Sequence, residues 1–341
     1  MHRAIRFVSV GLVAASLGCG APPAAEQEAH DDASEPPAAA AEATSLFGEP
    51  LYPMELSAER KAKLEANLAE AQANYDADPE SAATAIWVGR RLGYLGRYQD
   101  AIDVFSQSIE AHPESFELYR HRGHRYISVR DFDRAASDLG KAAELIDGIP
   151  DAVEQDGAPN AQGIPRSTSH SNIWYHLALA YYLQGDFEKA ALAWENCMEF
   201  SRVNDDMLVA TADWQYMTYR RLGRDEDAAK VLEDIKEDMD VIENFSYHKR
   251  LLMYKGLVDP EELLDPGADD LDLATQGYGV ANYYFVNGEV DKAREILDKV
   301  LEGTYWSAFG YIAAEADVKR METEGASNCH RRNEPSPSSA S

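Results

Sequence analysis

The amino-acid sequence predicts an all-α solenoid, because the chain repeats itself at an interval that suits a pair of antiparallel helices. Proline, glycine, aromatic and alanine positions recur at one constant interval, namely Pro79 and Pro113, Gly89 and Gly123, Tyr98 and Phe132, and Ala101 and Ala135. The segment GYLGRYQDAIDVFSQSIEAHP is followed one interval later by ISVRDFDRAASDLGKAAELI, and YLQGDFEKAALAWENCMEF comes further along. The interval is about 34 residues, and a fixed period of about 20–50 residues is typical of stacked repeats.

Each unit combines bulky residues with small ones at the points where two helices touch. The best-formed unit has Trp174, Leu177, Ala178, Tyr181, Gly185, Phe187, Ala190 and Trp194. Ala178 and Ala190 let two backbones approach, and the larger side chains fill the space around them. This pattern resembles the tetratricopeptide repeat family, which implies a right-handed superhelical solenoid of helix-turn-helix repeats. We count about five full units and a degraded one, in which Pro260 shortens the second helix.

The same reading gives the domain boundaries. The solenoid covers residues 46–321, with a lone helix over 57–79 at its start and a closing amphipathic helix over 306–321. Residues 322–341 are polar and low in complexity, so we predict a disordered tail.

The N-terminus predicts export and a lipid anchor. Residues 1–18 combine Arg3 and Arg6 with an apolar run that is shorter than the ~20 residues needed to span a bilayer. The segment SLGCG resembles a bacterial lipobox, which implies lipidation of Cys19, although Ser16 stands where leucine is usual. The alternative is a plain secretory signal with a chance cysteine. Residues 19–45, rich in alanine, proline and acid, are predicted to be a disordered tether. We therefore expect a lipid-anchored protein of the bacterial cell envelope, facing the periplasm or on the outer membrane.

Composition and motifs argue against other classes of function. Sixty acidic against 32 basic residues give a formal charge of −28, which repels nucleic acid. His121 and His124 lie close together on one predicted helix, but no third metal ligand follows at a recognisable spacing. Cys197 occupies a packing position on a second helix, and no nucleophile elbow or phosphate loop occurs. We predict no enzyme activity, no cofactor and no metal.

The resemblance implies where a ligand would bind. In this family the first helix of each unit lines a concave groove, and helical spacing assigns to it Arg90, Arg120, His124, Asn172, Tyr175, Tyr182, Arg220, Arg221, Tyr278 and Asn282. Arginine forks and tyrosine rings suit a protein or peptide ligand with acidic or carboxylate groups. The alternative is that these arginines pair with nearby acids such as Glu117 and Asp213.

One long insertion interrupts the repeat. Ala135 and Ala190 occupy equivalent positions in successive units, but they are much further apart than one repeat period. The extra residues precede the first helix of the best-formed unit. This loop, residues 147–170, contains the segment DGAPNAQGIPRSTSH and is either a binding element or a linker.

Two functions follow from these features. The first is a non-catalytic scaffold that holds a partner protein or peptide in the concave groove. The second is a solute-binding accessory lipoprotein, which requires the loop to enclose an aromatic pocket around Tyr175 and Tyr182. An enzyme is a remote third reading, and it requires a cluster of ionisable groups with perturbed pKa in that pocket.

Overall fold

The computed structural model describes residues 40–265, 267 and 270–332, and the regular structure within them is almost entirely α-helical. Cys19, the signal segment and most of the predicted tether lie outside the described residues. The strands that occur are two residues long: β1 (Ala43–Thr44) pairs in antiparallel fashion with β2 (Pro50–Leu51).

Helices alternate between the first and second positions of successive repeats. The first helices are α2 (Ala82–Tyr94), α4 (Phe116–Ser128), α6 (Ser169–Gln184), α8 (Asp205–Arg221), α10 (Phe245–Tyr254) and α12 (Tyr278–Val286). The second helices are α3 (Tyr98–Ala111), α5 (Phe132–Leu145), α7 (Phe187–Ser201), α9 (Asp225–Val231), a 3₁₀ helix (Pro260–Leu263) and α13 (Val290–Leu301). The flanking elements are α1 (Ala58–Ala77), a one-turn α11 (Asp270–Asp272), a π-helix (Leu273–Gly277) and α14 (Phe309–Arg332). The predicted solenoid of tetratricopeptide-like repeats is confirmed, including the shortened helix at Pro260.

A left-handed residue makes the turn inside every repeat. Five of these positions are glycines with φ between 69° and 86°, namely Gly96, Gly185, Gly223, Gly256 and Gly288. The second repeat has Arg130 there instead, with φ 68°. A non-glycine residue is strained in this region, so the contacts of the arginine side chain must offset a backbone cost.

Small residues let the paired helices approach. A Cβ atom at Gly89 would collide with the ring of Phe105, and one at Gly123 would lie 2.7 Å from Leu139. Trp194 and Trp214 are fully buried further along the solenoid and stack on each other at 6.4 Å between ring centroids. Buried apolar area of this kind is the main stabilising contribution to a solenoid.

The C-terminal helix folds back onto the first helices. Helix α14 packs against α6, α12 and α13, and α8 packs against both α6 and α12. The helices α6, α8, α12 and α14 therefore form a closed ring. Within the described part of the chain, no helix is long and apolar enough to cross a membrane.

A buried ion pair fixes this closure. The guanidinium group of Arg130 donates to the carboxylate of Glu315 at 2.7 Å, and the two side chains are only 2% and 1% exposed. Arg130 also donates to the carbonyl oxygens of Ser128 and Trp306. The backbone N–H of Leu46 donates to the other oxygen of Glu315, so the N-terminal segment meets the same carboxylate. The side chain of Arg130 thus meets a carboxylate of helix α14 that also binds the N-terminal segment. Three segments that are distant in sequence are joined at this ion pair.

Both ends of the solenoid extend beyond the predicted boundaries. Helix α14 continues to Arg332, whereas we predicted a disordered tail from residue 322. Once the first turns of a helix are docked, each further residue adds a backbone hydrogen bond at little cost, so the helix propagates. At the other end, residues assigned to the tether form β1, and Ala43 is buried beside Tyr98 and Trp306. Residues 333–341 lie outside the described chain.

We expect the variant Arg130→Gly to unfold more easily, although glycine suits the turn. It leaves Glu315 buried without its charge partner, which costs about 3–5 kcal/mol, against about 1–2 kcal/mol regained from the backbone. Adding Glu315→Gln should restore part of the loss. Urea unfolding of the single and double variants measures these free energies.

Arg134→Ala serves as the control, because its ion pair with Asp131 is exposed and should contribute less than about 1 kcal/mol. Equal stability of Arg130→Gly and the wild type would contradict the role given to the buried pair.

Candidate functional site

The residues predicted to line the groove divide into four sets in the structure. Arg90, Arg120 and Asn172 meet the inserted loop. Arg221 and Tyr278 bind Asp317 of helix α14, and Asn282 and Tyr182 are hydrogen-bonded to these two residues. His124 lines a cavity between these two regions. Tyr175 and Arg220 have partners on neighbouring helices. Most of the residues predicted to line the groove therefore already contact other residues of this chain.

Glu154 of the loop is the centre of the first set. Its carboxylate lies 3.1 Å from Arg120 and 3.9 Å from Arg90, and it accepts a hydrogen bond from the Asn172 side chain at 3.0 Å. Arg90 also donates to the carbonyl of Gln155 at 2.9 Å. The loop thus supplies the anionic group that these arginines bind.

Asp317 of helix α14 is the centre of the second set. Arg221 lies 2.6 Å from its carboxylate, and the Tyr278 hydroxyl donates to it at 3.0 Å. Tyr182 shares a 2.6 Å hydrogen bond with Tyr278, and Arg221 also donates to Asn282 at 2.6 Å. Burial acts to raise the pKa of Asp317, but Arg221 and Arg320 outweigh it and hold the pKa below its ordinary value. The carboxylate is therefore ionised and fully engaged.

Tyr175 and Arg220 are also engaged within the chain. Tyr175 is buried, with its hydroxyl 3.4 Å from that of Tyr247 and its ring edge-on to Trp194. Arg220 lies 2.9 Å from Asp225 and donates to Asn287 at 3.0 Å. Both side chains hold neighbouring helices together.

The inserted loop is fixed to the body along its length. Val153 pairs with Thr168 in an antiparallel bridge, and Arg91 donates to the carbonyl of Gly157 at 2.7 Å. Further on, Asn160 donates to Glu243 at 2.8 Å, and Arg166 lies 2.7 Å from the buried carboxylate of Asp206. These contacts run from α2 to the segment before α10. The loop crosses the first helices rather than hanging free of them.

An apolar groove stays open between α2, α4 and the loop. It has a volume of about 280 Å³ and lies on the loop side of the first helices. Its wall includes Ile86, Trp87, Arg90, Phe116, Val153 and Ile173. Val153 is 66% exposed and faces this opening without a cover in the described chain. We call this feature the loop groove.

A second, larger space lies between α2, α4 and residues 305–310. This cavity has a volume of about 380 Å³, and we call it the central cavity. Aromatic residues from several segments line it, namely Tyr94, Tyr98, Tyr247, Tyr305, Trp306 and Phe309. The second functional reading required an aromatic pocket around Tyr175 and Tyr182, but the aromatic cavity lies elsewhere. Ala158 of the loop forms part of its wall.

Metal ligands and the free thiol of Cys197 are the remaining candidates for chemistry. Within the described residues, no group of three or more histidine, cysteine or acidic side chains has metal-site geometry. Burial raises the pKa of the Cys197 thiol to about 11, despite hydrogen bonds to Thr211 and Ser201. The thiol therefore stays protonated at neutral pH, which does not favour a nucleophile.

Sequence reasoning missed the residues that fill the groove. Glu154, Glu315 and Asp317 come from segments read as a loop and a closing helix. The sequence could have indicated Arg130, since it stands one repeat period after the turn glycine Gly96. Arg125 was not selected either, although it adjoins His124 and lines the central cavity.

Three histidines lie near the central cavity, of which His121 and His176 are buried and His124 is half-buried. The rings of His124 and His176 are 4.3 Å apart, and His121 accepts a 2.9 Å hydrogen bond from Arg120. Burial lowers the pKa of all three well below 6.5, and nearby arginines lower it further. The histidines are therefore neutral in the folded protein at neutral pH.

We expect stability to fall as the pH drops below about 6.5. Below this pH the histidines of the unfolded chain become protonated while those of the folded protein stay neutral. Each histidine therefore lowers the free energy of unfolding by up to about 1.4 kcal/mol per pH unit. His124→Phe should flatten the decline between pH 7.5 and 5, as measured by thermal unfolding. His112→Phe, at the end of α3, is the matched control. An unchanged pH profile in His124→Phe would contradict the prediction.

Sequence comparison finds a tetratricopeptide repeat in the centre of the chain. The family model, described as "Tetratricopeptide repeat", matches residues 173–199, which span most of α6 and α7. The curated relatives include the BBSome complex member BBS4 of Bos taurus, 24% identical over 145 residues, and that of Mus musculus, 23% identical over 130 residues. These alignments cover 42% and 38% of this chain but only 23% and 21% of the relatives, so the chain spans less than a quarter of their length.

Several solved structures resemble parts of the chain. They include the MamA protein, 16% identical with a TM-score of 0.39, which covers 59% of this chain and 89% of its own. YrrB, described as a TPR protein with an unusual peptide-binding site, is 15% identical with a TM-score of 0.39 and coverages of 72% and 97%. A tetratricopeptide repeat protein from Parabacteroides merdae is 12% identical with a TM-score of 0.45 and coverages of 75% and 93%. The family model matches one repeat, residues 173–199, and the helix pairs on either side of it have the same helix-turn-helix arrangement.

Proposed function

We propose that the protein is a non-catalytic, lipid-anchored scaffold of the bacterial cell envelope that binds a partner protein. The partner contacts the solenoid at the loop groove, because the rest of the predicted concave face is occupied by Glu154 and helix α14. The relatives named as members of a protein complex are in keeping with this role. The open apolar groove is the observation that carries the proposal.

The loop groove suits a short apolar segment of a polypeptide. Ile86, Trp87 and Phe116 form an apolar floor, and the exposed side chain of Val153 forms one rim. Burying such side chains against a partner removes apolar surface from water, which is the main source of affinity at an interface. Arg90 lies beside the floor and stacks over Trp87 at 4.6 Å. Its charge already lies near Glu154, so the apolar floor and not an ion pair supplies most of the affinity in this proposal.

The loop acts in this proposal as a wall of the binding site. Its position depends on the contacts of Glu154 with Arg120 and Asn172, which hold residues 152–155 against α4 and α6. A preordered wall lowers the entropy cost of binding. This assigns the 147–170 insertion to binding instead of to linkage.

The lipid anchor rests on the sequence around Cys19. A basic start, a short apolar run and a small residue before the cysteine support lipidation, and the alanine-proline tether would hold the solenoid away from the membrane.

Val153→Glu should reduce capture of the partner at least tenfold, because it places a charge on the rim of the apolar groove. The measurement is affinity capture from native membranes with quantification of the recovered proteins. Leu192→Glu is the matched control, since Leu192 is 61% exposed on the second helix α7 and Val153 is 66% exposed.

Both variants should unfold at the wild-type temperature, because neither side chain is buried. Recovery of the same proteins in equal amounts with Val153→Glu and the wild type would refute the groove assignment.

Cys19→Ala should move the protein from the membrane fraction to the soluble fraction, because it removes the site of lipidation. Fractionation and immunoblotting of cells expressing each form measure this directly. Ser16→Leu, which restores the usual lipobox residue, should leave the protein in the membrane fraction. Continued membrane attachment of Cys19→Ala would show that the anchor is something other than a lipid on this residue.

A further inference from the structure

The wall of the central cavity is unlike the rest of the chain in its charge. The protein has 60 acidic residues, yet none of the residues that line this cavity is acidic. Two of the lining residues, Arg60 and Arg125, are basic. The charged groups of the wall are therefore cationic in a strongly acidic protein, and cationic groups in a cavity favour an anion.

Arg125 is the cation at the inner end of this cavity. The other interior arginines each lie 2.6–3.1 Å from a carboxylate, as seen for Arg120, Arg130, Arg221 and Arg250. Arg125 has no such ion pair in the described chain, and burial, together with the nearby Arg120 and Arg90, lowers its pKa. Its guanidinium stacks over the ring of Tyr98 at 5.3 Å. The Arg125 side chain is half-buried, so a bound anion would supply the ion pair that the other arginines already have.

Local packing keeps the guanidinium group of Arg125 at the cavity. Gly93 on α2 has no side chain at this point, and a Cβ atom there would lie 2.8 Å from Nη1 of Arg125. The neighbouring Tyr98 is itself held by an edge contact with Trp306. Gly93 and Tyr98 thus position the guanidinium group of Arg125.

His124 supplies a second polar group beside Arg125. Its ring nitrogens have no hydrogen-bond partner in the described part of the chain, although the ring packs against His176 and Phe309. A neutral imidazole donates one hydrogen bond. One guanidinium and one imidazole therefore face the same space.

The remaining wall is aromatic and aliphatic. Tyr247, Trp306 and Phe309 line it together with Met54, Leu56 and Leu64 of the N-terminal segment. A volume of about 380 Å³ is near the lower end of the ~300–1,000 Å³ typical of small-molecule sites. The space accommodates one small molecule with an apolar body.

We infer that the central cavity binds a small organic carboxylate with an aromatic or branched aliphatic body. The planar carboxylate pairs with the guanidinium fork of Arg125 and accepts a hydrogen bond from His124, and the body packs against the aromatic wall. A phosphate dianion is less suited, because a single interior cation faces the cavity. The central cavity and the loop groove share no lining residue, so this inference does not depend on partner binding.

Calorimetric titration of the full chain tests the inference. The probes are phenylacetate, indole-3-acetate and 4-methylpentanoate, each compared with its neutral amide, and inorganic phosphate. We expect at least one carboxylate to bind and to raise the melting temperature, with its amide and phosphate at least tenfold weaker. Equal affinity for acid and amide, equally tight phosphate binding, or no binding by any of the carboxylates would overturn the assignment.

Two variants locate the site. Arg125→Gln should weaken carboxylate binding at least tenfold while the ligand-free protein keeps its melting temperature, since no ion pair is lost. Gly93→Ala displaces the guanidinium without removing its charge and should also weaken binding. Arg134→Gln, on the surface of α5, is the control and should bind as the wild type does.

Wild-type affinity in both Arg125→Gln and Gly93→Ala would overturn the role of Arg125. The acid and amide comparison on the wild type remains decisive if either variant fails to fold.

Discussion

The buried ion pair between Arg130 and Glu315 is the contact on which the closed form of the solenoid depends. It joins the turn of the second repeat to the C-terminal helix, and the same carboxylate receives the N–H of Leu46. A second carboxylate on that helix, Asp317, binds Arg221 and Tyr278. Buried charges of this kind hold one arrangement of the segments, because any other arrangement leaves a charge without a partner. An array that otherwise relies on contacts between neighbouring repeats thereby gains long-range order.

Closure changes what the concave face can bind. In an open solenoid the arginines and tyrosines of the first helices form one continuous surface. Here Glu154 occupies its N-terminal part and Asp317 its C-terminal part. The loop groove is lined mainly by apolar residues, and the central cavity is lined by aromatic residues with Arg60 and Arg125. The two spaces therefore differ in chemistry.

Sequence reasoning succeeded where the information is local and periodic. The repeat spacing identified the helices, the turn glycines and the shortened fifth unit, because each reflects packing between adjacent helices. It placed the predicted groove residues on the first helices but gave no partners for them, since Glu154 and Asp317 reach them from outside the repeat pattern. Arg125 was missed because the sequence does not show that it lacks an ion pair within the described chain. Ion pairs between distant segments are visible only in the folded structure.

The left-handed arginine at the second turn also bears on how the repeat number can vary. Open solenoids gain or lose units readily, because every interface resembles the next. In this chain Arg130 must meet Glu315, which lies 185 residues away in sequence. Duplicating or deleting one unit between them would rotate and translate the C-terminal helix relative to its arginine. The number of units between these two residues is therefore constrained by the ion pair, as it is by the pair of Arg221 with Asp317 on the same helix.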